Sequence, residues 1–146
     1  MRHITQLGLN LICKFEGFSP IIYMCPAGYP TIGYGHLITE ANKEQFLDGV
    51  DELEALDLLR VDVAHAEQAV LRLITAPLTN GQFDALVSFT LNLGVGALQR
   101  STLRRKINRE EHADVPAELG KWVWAGGRKL KGLVKRRATE GRHYMS

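Results

Sequence analysis

Hydrophobic residues recur along this chain with two rhythms, one helical and one strand-like, which predict its elements in turn. Ile4, Leu7, Leu11 and Phe15 fall at helical spacing, which predicts a helix from about Thr5 to Glu16 with Gly17 as its stop. From Ile21 to Ile38 the rhythm changes. Pro20, Pro26, Gly28, Pro30, Gly33 and Gly35 forbid a long helix, while Ile22, Tyr23, Tyr29, Thr31, Ile32 and Tyr34 favour strands. A small β-hairpin or meander is expected there. Leu56, Leu59, Val63, Ala66, Val70 and Leu73 then alternate in steps of three and four, the stripe of a helix about twenty residues long. Pro77 closes that region, and Thr79 or Asn80 can cap a helix running through Phe83, Leu86, Val87 and Thr90 to Leu91, ending in Asn92-Leu-Gly94-Val-Gly96. Ser101 caps a short basic helix, Thr102 to Asn108. Further helices are expected from about Ala113 to Trp122 and from about Leu133 to His143. The layout is α+β, mostly α: an N-terminal helix, a small sheet, then a helical bundle. It reads as one domain over 1–146, with a β-containing lobe at about 17–50 and a helical lobe made of about 51–146 plus the N-terminal helix.

Composition narrows this little, because 45% hydrophobic and 23% charged residues in 146 are ordinary for a globular domain able to bury a core. Charge distribution says more. Lys121, Arg128, Lys129, Lys131, Lys135, Arg136, Arg137 and Arg142 face a single acid, Glu140, in the last segment, whereas Asp48, Asp51, Glu52, Glu54 and Asp57 form an acidic run in the middle. A basic end suits a polyanion such as nucleic acid, an anionic membrane or an acidic wall polymer, and equally a solvated helix face. No helix-turn-helix or zinc spacing accompanies it, so no specific nucleic acid and no metal or other cofactor is expected. Cys13 and Cys25 are too few for a disulfide scaffold and read as free thiols in a reducing compartment. Leu7, Leu9, Leu11 and Ile12 are interrupted by Asn10, Lys14 and Glu16, which makes neither a signal-peptide core nor a membrane span. Synthesis in the cytoplasm is expected. Trp122 and Trp124 have a sugar-stacking reading and a core reading, and the core reading is preferred because one of the two must face inward whichever way the segment runs.

The chemistry gathers between residues 16 and 36. Glu16 would sit in the last turn of a helix, near the negative end of its dipole and between Phe15 and Phe18, a setting that favours retention of a proton. A general acid for a poor leaving group needs that property. Cys25 and Thr31 lie on or beside the expected hairpin. A thiol there serves as nucleophile or base once ionised, or is simply a small buried hydrophobe. His36 is a candidate base and also a candidate structural hydrogen-bonder.

Glu16-Gly-Phe, Tyr23, Gly28 and Thr31-Ile-Gly-Tyr-Gly-His36 resemble the signature of the phage lysozyme (endolysin) family, glycoside hydrolase family 24. The resemblance continues in Gln82-Phe-Asp84-Ala-Leu-Val-Ser-Phe89 with Asn92 and Gly94, in Ser101-Thr-Leu103, and from Trp124 to Arg137. It implies a lysozyme-like fold and hydrolysis of the β-1,4 bond between N-acetylmuramic acid and N-acetylglucosamine in peptidoglycan, leading to bacterial lysis. It implies catalytic positions at Glu16 as acid, at Cys25 where the family has an Asp, and at Thr31, which helps position water. Asn92, Tyr34 and Gly33 match positions on the substrate side; a C-terminal helix cap is the other reading of Asn92. His36 matches a bracing position in the hairpin. The resemblance further implies a monomer that reaches the periplasm at lysis through a holin-type pore, with the basic C-terminal segment available to anionic wall or lipopolysaccharide.

Cys25 departs from the family, and three outcomes follow. The thiol ionises and acts as base or nucleophile, or acts while neutral beside Glu16 and Thr31, or the site is crippled. Two rival functions use the same residues differently. A Cys25–His36 dyad would suit a peptidoglycan amidase or peptidase. A non-catalytic binder of wall or nucleic acid would use only the basic end.

Overall fold

A computed structural model describes every residue from Met1 to Ser146. Helix α1 (Gln6–Glu16) is followed by strands β1 (Ser19–Met24), β2 (Pro30–Gly33) and β3 (His36–Leu37), then by the first of two 3-10 turns, at Lys43–Phe46, the second lying at His112–Asp114. Helices α2 (Glu52–Leu73), α3 (Asn80–Leu93), α4 (Val95–Gln99), α5 (Thr102–Asn108) and α6 (Val115–Leu119) come next. A two-stranded ribbon of β4 (Trp124–Ala125) and β5 (Arg128–Lys129) precedes the last helix, α7 (Lys131–Met145). The fold is mostly helical with small antiparallel sheets, as the hydrophobic rhythm requires.

The chain divides into two compact units, Asn10–Ala64 and Met1–Leu9 with His65–Ser146. In the smaller, strand-bearing unit β2 is the middle strand, pairing with β1 through Tyr23↔Thr31 and Met24↔Pro30 and with β3 through Thr31↔Leu37 and Ile32↔His36. Its buried residues include Ile12, Ile32, Ile38, Phe46, Val50, Ala55, Leu59 and Val63. Glycine ends α1 for the expected reason: Gly17 takes a left-handed conformation and returns its N–H to the Cys13 carbonyl at 3.0 Å. Asp51 starts α2, accepting the Glu54 N–H at 2.8 Å while Glu54 accepts that of Asp51 at 3.3 Å.

The larger unit is helical. On α2, Ala66, Val70 and Leu73 continue the stripe, and every residue of α3 from Phe83 to Thr90 is buried. Thr79 caps α3 with a reciprocal pair, its hydroxyl accepting from Gln82 N–H at 3.1 Å and Gln82 Oε1 accepting from Thr79 N–H at 2.9 Å. Ser101 caps α5 at 2.9 Å. The expected helix at Ala113–Trp122 is shorter in the structure. Pro116 sits in the first turn of α6, and the chain leaves the helix at Gly120 and becomes extended at Trp124. Helix α4 and the β4–β5 ribbon lie where the sequence showed only glycine-rich punctuation.

Candidate active site

Glu16, Cys25 and Thr31 all fall in the strand-bearing unit. The connection from β1 to β2 is a tight turn in which Cys25 N–H donates to the Tyr29 carbonyl at 2.9 Å and Gly28 N–H to the Cys25 carbonyl at 2.8 Å. Gly28 occupies the left-handed position (φ 86°) that such a hairpin loop needs. Backbone N–H groups of this loop, that of Tyr29 first, and the Thr31 hydroxyl favour the ionised form of the Cys25 thiol. The Tyr29 N–H is the strongest of these influences. Together they outweigh the opposing effect of partial desolvation and hold the thiol below its ordinary value of 9.0. No cation is among the influences on Cys25; the lowering comes from loop backbone donors and Thr31.

Thr31 is buried, and its hydroxyl also lies 2.9 Å from the Tyr29 carbonyl. A hydroxyl has one hydrogen to give, so it donates to that carbonyl when the thiol is neutral and can turn to the sulfur when the thiol is ionised. Strand alternation completes the grouping. Tyr23 and Cys25 are two apart on β1 and its extension, and Thr31 is the cross-strand partner of Tyr23, so all three share a face. Burial first, then the negative fields of Glu16 and Cys25, raises the Tyr23 phenol above its ordinary 10.0. Tyr23 therefore lies within electrostatic reach of both reactive groups. The motif at 16–36 contained Tyr23, and its period-two spacing to Cys25 was the signal that could have marked it as a site residue.

Glu16 is the last residue of α1. Its carboxyl packs so closely on the turn after β2 that a Cβ on Gly35 would stand 3.0 Å from Oε2 and 3.2 Å from Cδ. Gly35 also takes φ 77°, so it is required twice over. This glycine is a positioning residue that the sequence reading left without a role. One turn before Glu16, burial pushes the Cys13 thiol up, Glu52 adds to the rise and Arg60 opposes it, so this second cysteine is held in its neutral form.

Other candidates are engaged elsewhere. Tyr34 is buried, donates from its hydroxyl to Glu52 Oε1 at 3.0 Å and packs on Phe18 with ring centroids 5.5 Å apart. Gly33 is buried against Ala55 of α2, where a Cβ would come within 3.1 Å of the alanine Cβ. These contacts make both residues supports for β2. His36 Nδ1 pairs with Asp62 Oδ2 at 2.8 Å, and its ring meets the Phe46 ring edge-on at 5.7 Å. The Asp62 hydrogen bond raises the imidazole above its ordinary 6.5, against a smaller effect of burial.

That geometry corrects the Cys–His alternative. His36 lies on β3 and Cys25 follows β1, with β2 between them, so they are separated by two strand spacings, about 10 Å, before any offset along the strands. The imidazole is also committed to Asp62. No thiolate–imidazole dyad forms. In the helical unit, Asn92 is half-buried and its Oδ1 accepts from Arg137 at 2.6 Å, while Gly94 is the residue that caps α3. The capping alternative for Asn92 is thereby replaced by a side-chain bond that leaves its NH2 as the group to offer a ligand. No cluster of three or more His, Cys, Asp or Glu side chains has the arrangement of a metal site.

A helix-terminal carboxyl beside a short sheet that carries a part-exposed thiol and a buried hydroxyl is the arrangement of a lysozyme-like fold. The sequence pattern of the phage lysozyme family matches residues 13–140, and the chain belongs to that family. It is 41% identical over 140 residues to the endolysin of Bacillus phage B103, covering 94% of this chain and 52% of the relative. It is 37% identical to the endolysin of Acyrthosiphon pisum secondary endosymbiont phage 1, covering 94% of each. The chain spans about half the length of the two Bacillus phage relatives it matches. Among solved structures, the muramidase domain of SpmX from Asticaccaulis excentricus superimposes with a TM-score of 0.87 at 32% identity, over 100% of this chain and 99% of that one. A P22 lysozyme mutant does so with a TM-score of 0.84 at 26% identity, over the whole of both chains.

Proposed function

We propose that this chain is an endolysin-type muramidase that hydrolyses the β-1,4 bond between N-acetylmuramic acid and N-acetylglucosamine in peptidoglycan. The observation that carries the reading is the grouping of Glu16, Cys25 and Thr31 in one strand-bearing unit, where loop donors favour an ionised Cys25. The family position is one for an anionic acceptor, and the loop supplies Cys25 with donors suited to an anion. Glu16 gives its proton to the departing glycosidic oxygen. Water attacks the anomeric carbon, passing its proton to the Cys25 thiolate, with Thr31 orienting that water. Tyr23 and Gly35 hold the acid and the thiol in register. Asn92 offers its NH2 to a sugar hydroxyl, and Tyr34 and Gly33 act behind the site as packing.

Residues 1–146 act as one catalytic domain and as a monomer. The enzyme is made in the host cytoplasm and reaches the wall at lysis through a holin-type pore, and its basic C-terminal segment is attracted to anionic wall or lipopolysaccharide. No helix in the structure is long and apolar enough to cross a membrane. Relatives named SAR-endolysin, such as that of Escherichia phage Mu at 34% identity, make the route a direct experimental question, answered by timing lysis with and without a co-expressed holin.

The catalytic reading is tested by turbidity loss of outer-membrane-permeabilised bacteria. Wild type and Cys25→Asp should clear the suspension and Glu16→Gln should not. Full clearing by Glu16→Gln would remove the acid assignment.

A further inference from the structure

Trp124 is 62% exposed, although the core reading was the expectation for both tryptophans. Trp122 is the inward one, half-buried and edge-on to Phe89 with ring centroids 5.5 Å apart. The chain goes to some length to hold Trp124 outside. It stands on the β4–β5 ribbon, whose turn residues Gly126 and Gly127 both take positive φ, 58° and 77°, the tight connection that matches strand twist. Trp124 pairs with Lys129 and Ala125 with Arg128, and Leu130 N–H extends the ladder to the Val123 carbonyl at 3.0 Å. Direct cross-strand partners share a face, so the indole and the Lys129 ammonium are presented together.

The neighbouring chain continues the same chemistry. Lys131 and Lys135 are exposed one turn apart at the start of α7, and Leu130 and Val134 beside them are 36% and 39% exposed. Arg128, Lys129, Lys131 and Lys135 make no ion pair. No acid occurs between Lys121 and Thr139, and Glu118, just before, is buried and bound to Lys121 at 2.8 Å. A rigid exposed indole with two partly exposed aliphatic side chains and four unopposed cations is the composition of a surface that rests at a lipid interface.

We propose that the β4–β5 ribbon and the first turns of α7 dock on a bilayer surface rich in anionic phospholipid, with Trp124 seated at headgroup level and the four cations on lipid phosphates. This goes beyond the general attraction of a basic segment to the cell envelope, since it names the ribbon, the indole and the partner. It does not depend on the catalytic reading, because binding is measured without turnover.

The test is co-sedimentation of the full-length protein with phosphatidylglycerol vesicles and with phosphatidylcholine vesicles, together with tryptophan emission. Each cation near an anionic surface is worth about fivefold in partition, so Arg128→Ala with Lys129→Ala should lower binding to phosphatidylglycerol by about 25-fold. Trp124→Ala should abolish the emission blue-shift and weaken sedimentation, and raised salt should release the wild type. Phosphatidylcholine should bind none of them. Absence of wild-type binding to phosphatidylglycerol would overturn the proposal, as would equal binding by the variants or loss of binding to purified sacculi alone. Clearing of permeabilised bacteria by the Trp124→Ala variant at the wild-type rate is expected, which confirms its fold and separates docking from catalysis.

Discussion

The two units of this chain hold their ionisable groups in opposite ways. Asn10–Ala64 carries nine Asp or Glu against three Lys or Arg, while the remainder carries seven against fifteen. In the basic, helical unit the acids that matter are buried and pinned. Glu140 is fully buried, accepts from Ser88 at 2.5 Å and sits among Arg136 and Arg137, and burial pushes its carboxyl up while Arg137 and then Arg136 pull it back. Asp84 takes the Thr5 N–H at 2.9 Å, the Thr5 hydroxyl, and His143 Nε2 at 2.9 Å; Glu67 takes the Ile4 N–H at 2.6 Å and His3 at 3.0 Å. In the acidic, strand-bearing unit the reactive acceptor is a part-exposed thiol whose partners are mostly backbone. The contrast teaches that side-chain charges lock the larger unit in shape, whereas loop amides leave Cys25 stabilised and still accessible.

The largest effect that would break this comparison is on the locking side. Glu140→Ala removes the buried acid that both Arg136 and Arg137 contact, and loss of one partner from a buried pair costs about 3–5 kcal/mol. Urea denaturation should show that loss, and a cost below about 1 kcal/mol would mean that Glu140 is no anchor. On the reactive side, Gly35→Ala sets a methyl against the Glu16 carboxyl and forces an alanine into a left-handed conformation. A misplaced catalytic group costs about a hundredfold, so lysis should fall on that scale with only about 1–2 kcal/mol of stability lost.

Cys25 sharpens the comparison through pH. If the thiolate is the working form, wild-type lysis rises with pH along a limb below the ordinary thiol value of 9.0. Cys25→Asp should keep activity and move that limb down into the carboxylate range, near pH 4. Cys25→Ala should lose about a hundredfold at neutral pH and show no such limb. Coincident profiles for the Cys and Asp forms would sink the thiolate role.

The smallest effect concerns His36. Its imidazole is raised in the folded state by Asp62, so the pair stabilises fully below about pH 6.5 and the contribution fades as pH climbs through the higher folded value. Asp62→Asn should therefore cost about 1 kcal/mol at pH 6 and less at pH 8. The reverse order would show that the hydrogen bond does not favour the charged ring.

Much of this was legible from spacing. The stripe from Leu56 to Leu73, the caps at Thr79 and Ser101 and the stop at Gly17 depend on local rules, and local rules are written in the sequence. Glu16, Cys25 and Thr31 could be singled out as candidates because helix end and hairpin fall within one short segment. Other features needed the third dimension. Pro116 and Gly120 cut an expected helix to Val115–Leu119, and the residues after it formed a ribbon whose pairing no periodicity announced. Gly35 and Tyr23 gained roles only when packing brought them to Glu16 and Cys25. Tyr34 and Gly33 are buried by Phe18, Glu52 and Ala55, contacts distant in sequence, and Cys25 is separated from His36 because β2 is the central strand of its sheet.

The claim on which the rest stands is that Glu16 and Cys25 cleave a glycosidic bond. Purified peptidoglycan digested with wild type, Glu16→Gln and Cys25→Ala tests it through the new chain ends. New reducing sugar ends from the wild type, none from Glu16→Gln and a sharply reduced yield from Cys25→Ala are predicted. New free amines without reducing ends, or reducing ends undiminished in Glu16→Gln, would contradict it.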